Sequence, residues 1–507
     1  MSNEHFDVLV IGAGISGIGA GYHLQAQCPN KRYAILEGRK NMGGTWDLFR
    51  YPGIRSDSDM FTLGFSFRPW KEAKAIADGP SILRYLHDTA REFGVDRHIR
   101  FSHRVKSASW STEDSRWTLD CEVGDDKQPL QYTCEFLYLC SGYYDYQGGY
   151  TPVFPGVDDF KGKLIHPQKW PQDLDYASKR VVVIGSGATA VTLVPAMSEK
   201  AAHVTMLQRS PSYIASLPAV DRVAWLVRKL LPEHTAHRMI RWKNVLLGMW
   251  FYQMCRRSPG MAKRMLRKGL LRELPADQID QHFKPSYKPW DQRLCLVPDA
   301  DLFHAMKAGK VSIVTDHIQT FTANGILLKS GKELPADIIV TATGLKLMPC
   351  GGINLSVDGK QVQPGRALTY KGMMLSDVPN CAMCVGYTNA SWTLRADLAS
   401  IYVCRLLNHM QSHGHHQCLP RLEPGIEPQP LIGLNSGYVQ RGIPQFPKQG
   451  SKAPWLLPQN YIRDMMVMRY GAIDDGTLIF SAGTKAPAAA MPVSANGIHA
   501  QPAAAAS

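Results

Sequence analysis

The sequence predicts an α/β fold in which two similar units are interleaved along the chain, the second carrying a helical insertion. Three observations point to it: a glycine-rich turn after an apolar run at the N-terminus, a second such turn near residue 185, and a basic amphipathic stretch that divides the second unit. With 507 residues the chain can bury two or three sizeable cores. No internal period of the kind that marks a repeat protein appears.

The first apolar run, Val8-Leu9-Val10-Ile11, is short and β-branched, which suits a strand buried on both faces. Gly12, Gly14 and Gly17 follow in the spacing G-x-G-x-x-G. The first glycine permits a tight turn, the second admits a pyrophosphate against the backbone, and the third lets the next helix pack on the strand, whose N-terminal amides face the anion. A second strand, Tyr33 to Leu36, ends in Glu37, where a ribose hydroxyl needs an acceptor. This is the pattern of a Rossmann-like, dinucleotide-binding domain.

Arg180 to Ile184 forms the next such strand, followed by Gly185, Gly187, Thr189 and Ala190. Alanine at the third position is still small enough for close packing. After the strand Val204 to Leu207, Gln208-Arg209-Ser210 replaces the acid. A guanidinium binds a 2′-phosphate bidentately and a serine hydroxyl adds a donor, so this site is expected to prefer NADPH over NADH. A solvated surface charge is the plainer reading of Arg209. Phe136 to Gly142 and Asp337 to Gly344 each read as a buried strand ending in a small-residue turn, marking crossings between the two domains.

Two longer strings carry a family resemblance. Phe160, Gly162, His166, Trp170 and Pro171 stand in the spacing F-x-G-x-x-x-H-x-x-x-W-P, which resembles the fingerprint of Baeyer-Villiger monooxygenases. Gly43-Gly44-Thr45-Trp46, with Tyr51-Pro52-Gly53 and Asp57, is similar to a second signature of that family. The likeness runs to about residue 470 and favours the subgroup of ethionamide-activating and AlmA-type monooxygenases, through Trp46 to Asp59, Trp290 to Pro298 and Gly386 to Leu394.

The resemblance implies FAD, NADPH and O2, and insertion of one oxygen atom beside a ketone carbonyl, with linear aliphatic ketones favoured. The product is an ester or lactone, formed through a flavin C4a-peroxide, and sulfoxidation is a further outlet. It places Gly44, Thr45, Trp46, Asp57 and Val105 with the first turn around FAD. It makes Arg293, with Asp57 as its carboxylate partner, the cation that holds negatively charged oxygen; arginine stays protonated and offers several donors. A structural ion pair for Arg293 and a turn cap for Asp57 are the plainer readings. His166 is assigned to the linker and to domain coupling rather than to chemistry.

Three other readings stay open. AlmA-type oxidation of long alkanes fits the subgroup, although an unactivated C–H bond is a poor target for a nucleophilic peroxide. A flavin monooxygenase acting on nitrogen or sulfur is the nearer rival, yet its fingerprint usually lacks the Trp-Pro ending. A flavin- and nucleotide-binding regulator, or an NADPH oxidase, is the remaining class.

The expected partition assigns 1–148 to the FAD domain and 152–215 to the NADPH domain. A basic helical insertion follows at 216–288; 289–376 resume the NADPH domain and 377–470 complete the FAD domain. Residues 221–273 hold thirteen arginines and lysines against three acids, ten of the chain's net fourteen positive charges. Apolar residues recur among them at helical spacing, so the stretch either covers the substrate cleft as solvated helices or lies on an anionic membrane surface. No nucleic-acid-binding motif accompanies the charge. No apolar run reaches the length of a membrane span, and the first strand begins too early for a signal peptide, so a cytoplasmic location is expected, with peripheral membrane contact as the variant. Oligomeric state is not legible.

The eleven cysteines read as reduced thiols; Cys381 and Cys384 fall three apart on a strand, facing opposite sides. No metal site is expected. The Ala/Pro-rich stretch 482–507 is expected to be disordered.

Overall fold

A computed structural model describes residues 4–483; the tail expected to be disordered lies, from residue 484 on, outside the described residues. The first unit centres on a nine-stranded sheet. Strand β1 (Glu4–Ile11) leads through helix α1 (Ile15–Gln27) to β2 (Tyr33–Leu36), which pairs with β1 in parallel. Val8 and Val10 enter one core and Leu9 and Ile11 another, so the run is buried on both faces as its composition requires. Beyond β2 lies β3 (Ile99–Arg100); on the other side of β1 stands β6 (Gln128–Leu139), reached through the antiparallel meander β4 (His103–Ser111) and β5 (Arg116–Val123).

The second unit is a five-stranded parallel sheet. It includes β7 (Lys163–Ile165), β8 (Arg180–Ile184), β9 (His203–Gln208), β12 (Val311–Thr315) and β13 (Ile338–Thr341), in the order β12-β9-β8-β13-β7. Helix α2 (Ala188–Met197) follows β8. Parallel partners need crossovers, and the longest excursion is the insertion. It leaves from β10 (Ile214–Leu217), which pairs in parallel with β11 (Cys295–Pro298), and contains α3 (Arg222–Leu230), α4 (Glu233–Arg257), α5 (Pro259–Leu270) and α6 (Ala276–His282).

The chain rejoins the first sheet earlier than the boundary expected at residue 376. Strand β14 (Asn354–Val357) pairs with β4 and β15 (Lys360–Gln361) with β14, covering the edge that the meander leaves open. Strand β16 (Cys381–Met383) then pairs with the end of β6, and helix α7 (Trp392–Ser412) packs on α1. Helix α8 (Tyr461–Tyr470) lies against α7. All eleven cysteines are free and buried, with Cys381 and Cys384 in different cores.

Candidate active site

A cleft of about 1210 Å³ runs between the two sheets. Gly12, Gly14, Glu37, Gly44, Thr45, Trp46, Asp57 and Val105 line it from the first unit, and Gly185, Gly187, Thr189, Arg209, Ser210 and Arg293 from the second. Gly17, Ala190 and the five fingerprint residues do not.

Backbone geometry explains the glycines. Gly12 and Gly185 have φ of 101° and 138°, a region that disfavours side chains. A Cβ on Gly17 would stand 1.8 Å from the Gly12 carbonyl oxygen, whereas at Gly187 it would meet nothing within 4 Å. Gly17 thus fastens the helix to its turn, and Gly187 leaves open space. Gly14 and Gly187 are the N-caps of α1 and α2; neither helix has a side-chain cap or an acid in its first turn, so backbone amides remain free for an anion. That arrangement fits two pyrophosphates.

The acidic and basic ends of the two sites differ as their sequences imply. Glu37 is buried, and its carboxylate accepts the Ala13 amide at 2.8 Å and the Arg39 amide at 2.9 Å. Burial raises its pKa, against the pull of those amides and the Arg39 charge. Arg209 and Ser210 are exposed on the cleft rim, with Lys329 and His317 lining the same cavity. Those last two come from loops after β12 and carry no motif.

The loop bearing Tyr51, Pro52 and Gly53 bridges the units. A Cβ on Gly53 would lie 2.6 Å from the Ala196 side chain and 2.8 Å from the Thr192 carbonyl, both on α2, so only glycine allows this approach. Arg55 reaches across to Asp301, Nη1 to Oδ2 2.5 Å. This fixes Asp57, whose Oδ2 lies 3.7 Å from Arg293 Nε. Burial raises the Asp57 pKa, opposed by Arg293 and Arg55. Burial also works against the Arg293 charge, but Asp57 and the hydroxyls of Tyr143, Tyr438 and Tyr144 outweigh it and hold its pKa above the ordinary value. The guanidinium is a permanent cation facing the cleft.

An aromatic wall surrounds it, and this the sequence did not expose. Tyr143 stacks on Trp392 with ring centroids 5.1 Å apart, its hydroxyl lies 3.0 Å from that of Tyr144, and the Trp392 indole donates to Ser16 Oγ at 2.7 Å. Tyr438 comes from the short helix Gly437–Gly442. Trp392 lies inside a string that carried the resemblance; the tyrosines sit in loops or short elements without periodicity.

The fingerprint residues hold the linker. His166 Nδ1 accepts the Gln168 amide at 3.2 Å, which leaves its Nε2–H to donate to the Gly344 carbonyl at 3.3 Å. Burial lowers the His166 pKa and favours this neutral form. The two crossings pair beside it: Tyr150 N to Gly344 O 3.0 Å, Asp145 N to Lys346 O 2.9 Å and Met348 N to Tyr143 O 2.9 Å. Phe160 packs edge-on against Phe321 at 6.3 Å, Trp170 lies on the second unit's core, and a Cβ on Gly162 would press the Asp337 carbonyl at 2.4 Å. Pro171 is exposed.

The flavin-binding monooxygenase-like family matches residues 76–385, and an NAD(P)-binding Rossmann-like domain matches residues 10–78. The chain belongs to the flavin-binding monooxygenase-like family. It is 56% identical over 482 residues to the FAD-containing monooxygenase EthA of Mycobacterium tuberculosis, covering 94% of this chain and 98% of that one. It is 48% identical over 480 residues to the probable FAD-binding monooxygenase AlmA of an Acinetobacter species, covering 94% and 96%. A solved steroid monooxygenase bound to NADP shares the fold, with a TM-score of 0.75 at 21% identity over 94% of this chain and 100% of that one.

Proposed function

We propose that this chain is an FAD- and NADPH-dependent Baeyer-Villiger monooxygenase that converts ketones, with linear aliphatic ones favoured, to esters or lactones. The observation that carries the reading is the Arg293–Asp57 pair, set in a cleft that two uncapped helix N-termini enter from opposite sheets. When bound, FAD supplies the activation of O2 and NADPH the hydride.

Gly12, Gly14, Glu37, Gly44, Thr45, Trp46 and Val105 would hold FAD; Gly185, Gly187, Thr189, Arg209 and Ser210 would hold NADPH. Arg293 keeps a fixed positive charge where negative charge develops on oxygen, and such preorganised charge acts most strongly where water is excluded. Tyr143, Tyr144 and Tyr438 line the cleft beside Arg293 with aromatic surface. Asp57 orients the guanidinium and is held in turn by the loop stitched to α2 and Asp301. His166, outside the cleft, holds the linker to Gly344 and so governs how the units sit together.

Two features bear on location and partners. No helix among the described residues is long and apolar enough to cross a membrane. No residue of 221–273 lines the cleft.

The test is Arg293→Ala with a panel of linear, cyclic and aryl ketones. Reduction of bound flavin by NADPH should persist, and ester should fall about 10²–10³-fold, the scale of removing one donor from a developing oxyanion. Unchanged ester formation removes Arg293 from the role. NADPH consumption that yields peroxide with every ketone would mark an oxidase instead.

A further inference from the structure

We propose that the exposed apolar faces of α3, α4, α5 and α8 dock on the surface of an anionic lipid bilayer. On α4, Met239, Trp242, Leu246 and Trp250 recur at helical spacing and all face solvent. Helix α3 adds Trp225, Leu226 and Leu230, α5 adds Met261 and Met265, and α8 adds Ile462, Met466 and Tyr470. These are large side chains kept in water: Leu230 is 70% exposed, Trp250 60% and Tyr470 68%. Scattered apolar residues on a surface are ordinary, but stripes on several neighbouring helices mark a site of association.

The helices are held together. Lys243 of α4 pairs with Asp221, the N-cap of α3, and Trp242 meets Tyr461 of α8 with ring centroids 5.8 Å apart. Arg241, buried beneath α4, donates to the carbonyls of Phe61 at 2.9 Å and Gly64 at 2.8 Å, so the helix is pinned with its stripe outward. The stripe is therefore a fixed surface and not a collapsed element awaiting repacking.

Charge selects the occupant. Among the exposed apolar residues stand Arg222, Lys229, Arg238, Arg264 and Lys268, within a stretch (221–273) of thirteen basic residues and three acidic ones, and Arg463 on α8. A second copy of the same face would set like charges against each other. Anionic headgroups complement them, and tryptophan and tyrosine are the side chains that best suit a membrane–water boundary. The docked face is also wired to the cleft. Phe251 and Tyr252 of α4 pack on Trp290 at 5.7 and 5.6 Å, and Arg256 bridges to Asp291 at 2.8 Å, two residues before Arg293. Docking would bring lipid-like ketones to the protein; this last clause rests on the function proposed above, while the docking does not.

The experiment uses the purified, flavin-loaded full chain and co-sedimentation with vesicles of phosphatidylcholine alone or mixed with phosphatidylglycerol. The expected result is salt-sensitive pelleting with the mixed vesicles and little with phosphatidylcholine. The double variant Leu246→Asp/Met466→Asp, both at exposed positions away from the cleft, should weaken partition at least about tenfold, since each removes an apolar anchor and adds a repelled charge. Its flavin content and its turnover of a short, soluble ketone without vesicles should equal the parent's. Equal pelleting with both vesicle types, no pelleting, or an unaffected variant overturns the proposal. So does a parent dimer that the double variant converts to monomer in sedimentation velocity, which would make a second copy the occupant. If no ketone is turned over but partition behaves as stated, the function reading fails and the docking stands.

Discussion

The two nucleotide turns begin from the same strand–glycine–helix pattern and end as different devices. In the first, Gly17 leaves no room for a methyl group against Gly12, and Glu37 is buried with two backbone amides on its carboxylate. In the second, Ala190 sits where Gly17 does and its methyl group is accommodated, and Arg209 and Ser210 stand at an exposed rim. A tight, buried acidic cradle suits a cofactor that stays; an open cationic rim suits one that comes and goes.

Four measurements sharpen or break that contrast. Gly17→Ala should have the largest effect: a methyl group 1.8 Å from a backbone oxygen forces α1 off its turn, and the protein should purify without flavin. Flavin retained at parental stoichiometry would show that the first turn is no tighter than the second. Arg209→Ala should raise KM for NADPH about 10–100-fold, the worth of a charge-assisted pair, and leave KM for NADH nearly unchanged. Equal effects on both coenzymes would reduce Arg209 to a general surface charge.

His166 acts between the two turns, and its effect is smaller and pH-dependent. Its folded pKa lies below the ordinary value of about 6.5, so the folded protein binds fewer protons there than the unfolded chain. Above its lowered folded pKa the neutral ring makes both bonds; as pH falls through that pKa, Nδ1 takes a proton and gives up the Gln168 amide, while Nε2–H still donates to the Gly344 carbonyl. Product formed per NADPH should drop up to about fivefold over that window, the worth of one neutral hydrogen bond, and His166→Ala should show the low value at every pH. An identical pH profile in the variant would assign the dependence elsewhere. The smallest effect belongs to Ala190→Gly, which removes no contact with cofactor and should cost only about 0.5–1 kcal/mol in thermal unfolding, as glycine does within helices.

Much of this was legible because the governing signals are local. Val8 to Ile11 and Val181 to Ile184 are continuous apolar runs, the mark of strands covered on both sides, and the glycine spacings follow at once. Asp57 and Arg293 are distant in sequence, and only the family resemblance paired them; the 3.7 Å separation agrees with it. The tyrosine wall escaped because loop side chains that converge in space leave no period. Strand β14 escaped because four residues with a single fully buried side chain, Leu355, state no allegiance to either sheet. The stripe on α8 went unnoticed because the buried ion pair of Asp464 with Arg395 interrupts its pattern.

The hydrogen bonds that zip residues 143–150 to 344–348 have a mechanical meaning. Two covalent passages fastened side by side behave as one strap, which resists separation and permits rotation. Any rearrangement of one nucleotide relative to the other is accordingly a pivot about that strap, and the depth of the gap between them changes as an angle rather than as a distance.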